Sequence, residues 1–136
     1  PTTSTSNPES RATKKARSPA RAGLRAFLVA LDSGLEVDVV GEAVDGLQAV
    51  QQVEQLHPDV VIMDVRMPGM DGIQATRMIK CRWPKVAVVI LTLYAGYRTE
   101  ARQAGADAFL LKGCPPDDLL ECLRQINDSE VMTAWK

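Results

Sequence analysis

Apolar residues are arranged along this chain in two ways, and the contrast between them predicts most of its elements. Val60–Met63 and Val86–Leu91 are short continuous apolar runs with no polar alternation. Runs of this kind suit strands buried on both faces of a parallel sheet. Between them the apolar positions recur at three and four residues. Leu47, Val50, Val53 and Leu56 form one such stripe, with Asp45 as cap and Gln48 completing a capping box. Ile73, Thr76 and Ile79 form another over Gly72–Cys81, which Trp83-Pro84 ends. Tyr94, Tyr97, Ala101 and Ala104 make a weaker helix that stops at Gly105, and Leu119, Leu120, Leu123 and Ile126 make a final one entered through Pro115. Glu36–Ala43 and Ala108–Leu111 read as short strands. At the front, Leu24, Phe27, Leu28 and Leu31 repeat at helical spacing and predict a helix over Arg21–Leu31.

The resulting order, α-β-α-β-α-β-α-β-α with short connections, implies a parallel sheet covered by helices on both faces. In such a sheet ligands bind beyond the carboxyl ends of the strands. Asp64, Thr92 and Lys112 each stand at the end of an apolar strand, and so belong to one rim. A carboxylate there suits a metal ligand, a nucleophile or a plain strand-end solvating group.

The stretch Pro58–Gly72, reading PDVVIMDVRMPGMDG, resembles the phosphoacceptor block of bacterial two-component response-regulator receiver (CheY-like) domains, of the type found in NarL/LuxR-family regulators. RAGLRAFL at 21–28 resembles the latter part of that family's first helix, and Gly41-Glu42-Ala43 the exit of its second strand. The resemblance covers about residues 21–127 and implies a flavodoxin-like, doubly wound sheet. It implies that Asp64 accepts a phosphoryl group from a sensor histidine kinase. It makes Thr92 the switch hydroxyl, Lys112 the phosphate contact and Phe109 the switch aromatic. Mg²⁺ would be the cofactor, held by Asp64 and the backbone carbonyl of Arg66. The implied class is a phosphoacceptor signalling domain in the cytoplasm, not an enzyme, with at most self-catalysed phosphoryl transfer and autodephosphorylation. DNA would be reached only through an output domain, and no helix-turn-helix follows the last helix here.

One part of the family pattern is missing. Receivers begin with a strand that ends in two or three acids, which hold the metal. Ahead of the RAGLRAFL helix this chain reads Arg11-Ala12-Thr13-Lys14-Lys15-Ala16-Arg17-Ser18-Pro19, with neither an apolar run nor an acid pair. Asp32 and Glu36 lie past the helix, at the wrong end of the sheet. The first strand is therefore read as missing or replaced. Its absence would leave the backbone of both neighbours unpaired at the centre of the sheet. The expectation is a four-stranded core of low stability that tends to form a homodimer. A competing function follows: a pseudo-receiver, an interaction or dimerisation module that no longer binds Mg²⁺ or phosphate. Smaller departures lie near Thr92, where Leu93 stands in a position that is often small, and at Arg102, where an apolar residue is common.

Composition adds limits. Apolar residues make up 46% and charged residues 24%, which places the chain among soluble globular domains. The longest apolar stretch is too short to span a bilayer, and the first twenty residues lack the apolar core of a signal peptide. Cys81, Cys114 and Cys122, even with His57, lack zinc-ligand spacing and suit a reducing compartment. Charge is unevenly placed. Residues 1–25 carry Arg11, Lys14, Lys15, Arg17, Arg21 and Arg25 against Glu9 alone, whereas the remainder is acidic. Residues 1–20 are expected to be a disordered basic arm, either solvated or touching nucleic acid. Residues 128–136 are expected to be a frayed tail.

Overall fold

The computed structural model describes residues 26–31 and 37–128. Its strands are β1 (Ala26–Leu31), β2 (Val37–Ala43), β3 (Val60–Met63), β4 (Ala87–Thr92) and β5 (Ala108–Leu111). Its helices are α1 (Gly46–Leu56), α2 (Gly72–Arg82), α3 (Arg98–Ala104, preceded by a 3-10 turn at Ala95–Tyr97) and α4 (Pro116–Asp128). The strands form one sheet in the order β2-β1-β3-β4-β5.

The described part of the first predicted helix, Ala26–Leu31, is not helical. Residues Ala26–Leu31 are a strand at the position where the sequence left a gap. It runs antiparallel to both neighbours, Ala26 opposite Ala43 on one side and Met63 on the other. The sheet is therefore mixed, with β3, β4 and β5 parallel. The expected four-stranded core is corrected to five strands. The physical reason lies in the composition of the segment AFLVAL, which is apolar at every position and fits either period. As a strand it buries both faces: Ala26 and Leu28 enter one apolar cluster, while Phe27, Val29 and Leu31 face the other. It also supplies hydrogen-bonding partners to β2 and β3, which would otherwise carry unpaired groups. The register shifts between Leu28 and Val29, where Val40 of β2 is passed over as a bulge. The end of β1 is fixed by Asp59, whose carboxylate accepts from Leu31 N at 2.7 Å.

Helices α1, α2 and α3 pack on one face of the sheet through Ala49, Val50, Val53, Ile73, Ile79, Ala101 and Ala104. Helix α4 packs on the other through Cys122 and Leu123. In α1 the outer residues of the predicted stripe, Leu47 and Leu56, are exposed, and the smaller Ala49 shares the buried face with Val50 and Val53. Leu120 of α4 is also exposed. Residues 1–25, 32–36 and 129–136 lie outside the described residues, and with them the expected disordered arm, Asp32, Glu36 and the expected tail.

Candidate functional site at the strand-end rim

The three strand-end residues do converge. Asp64 follows β3, Thr92 closes β4 and Lys112 follows β5. The Lys112 ammonium donates to Asp64 Oδ2 at 2.7 Å. Asp64 is 8% exposed and Thr92 fully buried. Backbone register holds the lysine in place, since Lys112 N donates to Thr92 O at 2.8 Å. Arg66 N lies 3.4 Å from Asp64 Oδ1, a weak contact that turns the chain back over the carboxylate.

The loop after Asp64 explains the glycine at its end. Gly72 N donates to Val65 O at 2.7 Å, and a Cβ at Gly72 would run into the Asp64 carbonyl and Val65 Cα. Only glycine lets α2 start this close to the site. Helix α2 is then capped by Asp71, whose side chain accepts from Gln74 N while the Gln74 amide accepts from Asp71 N. These two residues tie the Pro68–Gly72 turn to the helix.

Burial alone would raise the Asp64 pKa. The Lys112 hydrogen bond and charge, the Arg66 amide and the Thr92 hydroxyl outweigh it, and the carboxyl lies below its ordinary value of 3.8. Asp64 is thus an anion held ready by a cation, with a hydroxyl beside it.

Phe109 is buried in the cluster beneath α1–α3, with the Arg98 guanidinium 5.8 Å from its ring centroid. Arg66 brings a side chain as well as a backbone: its guanidinium lies 4.8 Å from the centroid of Tyr94, which meets Tyr97 edge-on at 6.4 Å. Neither the Arg66 side chain nor Tyr94 was singled out for the site by sequence. Their contact joins two loops 28 positions apart, and no periodicity signals it. Leu93 is 65% exposed. An open cleft of about 420 Å³ beside the loop is lined by Arg66, Met67, Pro68, Asp71 and Tyr97, among others.

The described residues do not make a ligand set for a divalent metal ion. Among the described residues no group of three or more His, Cys, Asp or Glu side chains could hold one. The Asp64 carboxylate is already paired with Lys112.

Fold and rim together define a receiver-type α/β domain, a five-stranded sheet with an Asp–Thr–Lys set at its strand ends. Residues 18–124 match the response regulator receiver domain, and the chain belongs to that family. It is 40% identical over 112 residues to the uncharacterized transcriptional regulatory protein YhcZ of Bacillus subtilis, covering 81% of this chain and 50% of that protein. It is 34% identical over 114 residues to the response regulator protein VraR of Staphylococcus saprophyticus, covering 81% and 52%. The chain thus spans about half the length of these relatives. Among solved structures, the receiver domain of the putative response regulator NarL from Mycobacterium tuberculosis superposes with a TM-score of 0.63 at 33% identity, over 70% of this chain and 77% of that one. A LuxR-family two-component regulator from Aurantimonas superposes with a TM-score of 0.66 at 29% identity, over 72% and 71%. Receiver domains of two-component response regulators are signalling domains rather than enzymes in the ordinary sense, and they typically bind Mg²⁺. No helix among the described residues is long and apolar enough to cross a membrane.

Proposed function

We propose that Asp64 is the phosphoacceptor of this receiver and that a sensor histidine kinase is its donor. The observation that carries the reading is the ion pair between Lys112 and Asp64 at 2.7 Å, with buried Thr92 alongside. A carboxylate kept ionised is a competent nucleophile. A phosphoryl group placed on it brings nearly two negative charges and three acceptor oxygens. Lys112 then pairs with the phosphoryl group, and the Thr92 hydroxyl turns to donate to it. The space Thr92 leaves is what Phe109 responds to, which converts a charge at the rim into a change of packing. Arg98, stacked over Phe109, carries that change to the surface of α3. A whole protein of the relatives' length would pass the signal on through an output domain, to DNA in the transcriptional regulators it resembles. Homodimerisation would belong to the same output step.

The second reading is an interaction module that has lost the phosphoacceptor chemistry. The lack, among the described residues, of any group of three or more metal-ligating side chains favours it. One experiment separates the two. The chain is incubated with a small acyl phosphate and Mg²⁺, and its intact mass is measured. The phosphoacceptor reading expects an adduct of about 80 Da, one phosphoryl group, that Asp64→Asn abolishes. No adduct under forcing conditions favours the interaction module.

A further inference from the structure

Helix α2 carries a groove that the chemistry at Asp64 does not use. Its volume is about 700 Å³, and Met70, Gln74, Arg77, Met78, Cys81 and Arg82 line it. These positions recur at three and four residues, so they form one stripe along the helix. The floor is apolar and the walls are basic. Met70 and Met78 are partly buried and pack on the core beneath. Arg77 and Arg82 are exposed. The Arg82 guanidinium lies 5.6 Å from the Trp83 ring centroid, which anchors it at the lower end of the groove. Among the described residues no carboxylate lines the groove. Methionine side chains are unbranched and polarizable, and adapt to an irregular apolar partner. Such a groove takes the apolar ridge of an amphipathic helix. Its two arginines select a ridge flanked by acids.

Helix α4 presents that ridge. Leu120 is 43% exposed, and Asp117, Asp118 and Glu121 are exposed around it. Asp117, Leu120, Glu121 and Arg124 lie within helical reach of one another and share one strip. Glu121 is paired with Arg124 at 2.7 Å, but both side chains are more than half exposed, so the pair is exchanged at little cost. The lengths also match: α4 spans about 20 Å and the stretch from Met70 to Arg82 about 18 Å. Because α2 and α4 pack on opposite faces of the sheet, a molecule cannot fill its own groove. We propose that the α2 groove receives α4 of a second copy of this chain. Leu120 seats against the two methionines, and Asp117, Asp118 and Glu121 face Arg77 and Arg82. The contact is head to tail. Each copy offers a groove on one face and a helix on the other, so dimers extend into larger species as concentration rises. A single helix laid in a groove buries less than the roughly 1,200 Å² of a stable interface, and the association is weak. The inference needs nothing of the chemistry at Asp64.

The test is sedimentation velocity on the full chain from micromolar to near-millimolar concentration. The sedimentation coefficient should rise with concentration and pass that of a dimer. A chain that stays monomeric throughout overturns the proposal. Two variants then locate the contact. The groove variant combines Arg77→Glu and Arg82→Glu. The helix variant combines Asp117→Lys, Asp118→Lys and Glu121→Lys. Each alone should associate at least about tenfold more weakly than the unaltered chain, because like charges now meet. Mixed in equal parts they should associate again, since the native helix of one meets the native groove of the other. Undiminished association of the groove variant, or of the helix variant, places the contact elsewhere and overturns the proposal, as does a mixture that stays monomeric. All five positions are exposed, so both variants should keep the fold, which circular dichroism checks. Should either fail to fold, Cys81 of the unaltered chain decides. It lines the groove, so its rate of labelling by excess maleimide should fall at least about threefold from dilute to concentrated protein. A rate independent of protein concentration overturns the proposal.

Discussion

Ala26 lies opposite Met63 across an antiparallel ladder, so the strand beside Asp64 begins at the functional rim and does not end there. β1 is also the element on which the sheet depends, because it pairs with β2 on one side and β3 on the other.

Leu28 and Val29 are adjacent, both at most 1% exposed, and face opposite clusters. Leu28→Asp and Val29→Asp should therefore each cost more than about 3 kcal/mol, since each buries an unpaired charge. Urea unfolding midpoints check this. An amphipathic surface helix over the same residues would tolerate a charge at one of two adjacent positions, so a mild effect of either substitution contradicts the strand.

The sequence read as a helix here, and wrongly over Ala26–Leu31, for a physical reason. Strand and helix periods differ only when polar residues interrupt the apolar ones, and AFLVAL has none. The other elements carried their own punctuation. Asp45 accepts from Gln48 N as the cap of α1, and Gly105 closes α3 at φ 101°. Val60–Met63 and the strand ending at Thr92 are buried as their continuous apolar runs imply. Asp64, Thr92 and Lys112 were legible because each ends such a strand. The Arg66–Tyr94 contact was not, because it depends on how two loops fold over the rim.

Lys112→Met should reverse the titration of Asp64. In the native chain the Asp64 carboxyl lies below its ordinary 3.8, because its partners outweigh burial. A depressed carboxyl contributes stability above the unfolded value and loses it as pH falls through the folded one. Without Lys112, burial dominates and the carboxyl rises above the unfolded value. The variant should then be less stable than the native chain at neutral pH, and the difference should shrink in acid. The ¹³C shift of the Asp64 carboxyl and urea unfolding across pH check both halves. An unchanged Asp64 titration would refute the pairing.

Gly72→Ala should disturb the site without touching its chemistry. The added methyl meets the Asp64 carbonyl and the Val65 backbone, neither of which is a flexible side chain. A loss of about 1–3 kcal/mol is expected from overpacking, together with slower uptake of phosphoryl at Asp64. Unfolding midpoints and adduct rates measure the two effects.

Thiol labelling should separate the cysteines. Cys81 is exposed, whereas Cys122 is buried and its thiol is pushed up to about 11 by burial and then by the charge of Asp107. At neutral pH a maleimide should modify Cys81 at once and Cys122 only on unfolding, because the thiolate is the reacting form. Mass mapping of the labelled peptides checks the order.

The central claim is that Asp64 itself takes the phosphoryl group. Borohydride reduction after exposure to an acyl phosphate tests it most directly, since an aspartyl phosphate is reduced to homoserine at the residue that carried it. Sequencing of the peptides should find homoserine at position 64 and nowhere else. Homoserine at another aspartate, or none at all after full exposure, would contradict the account.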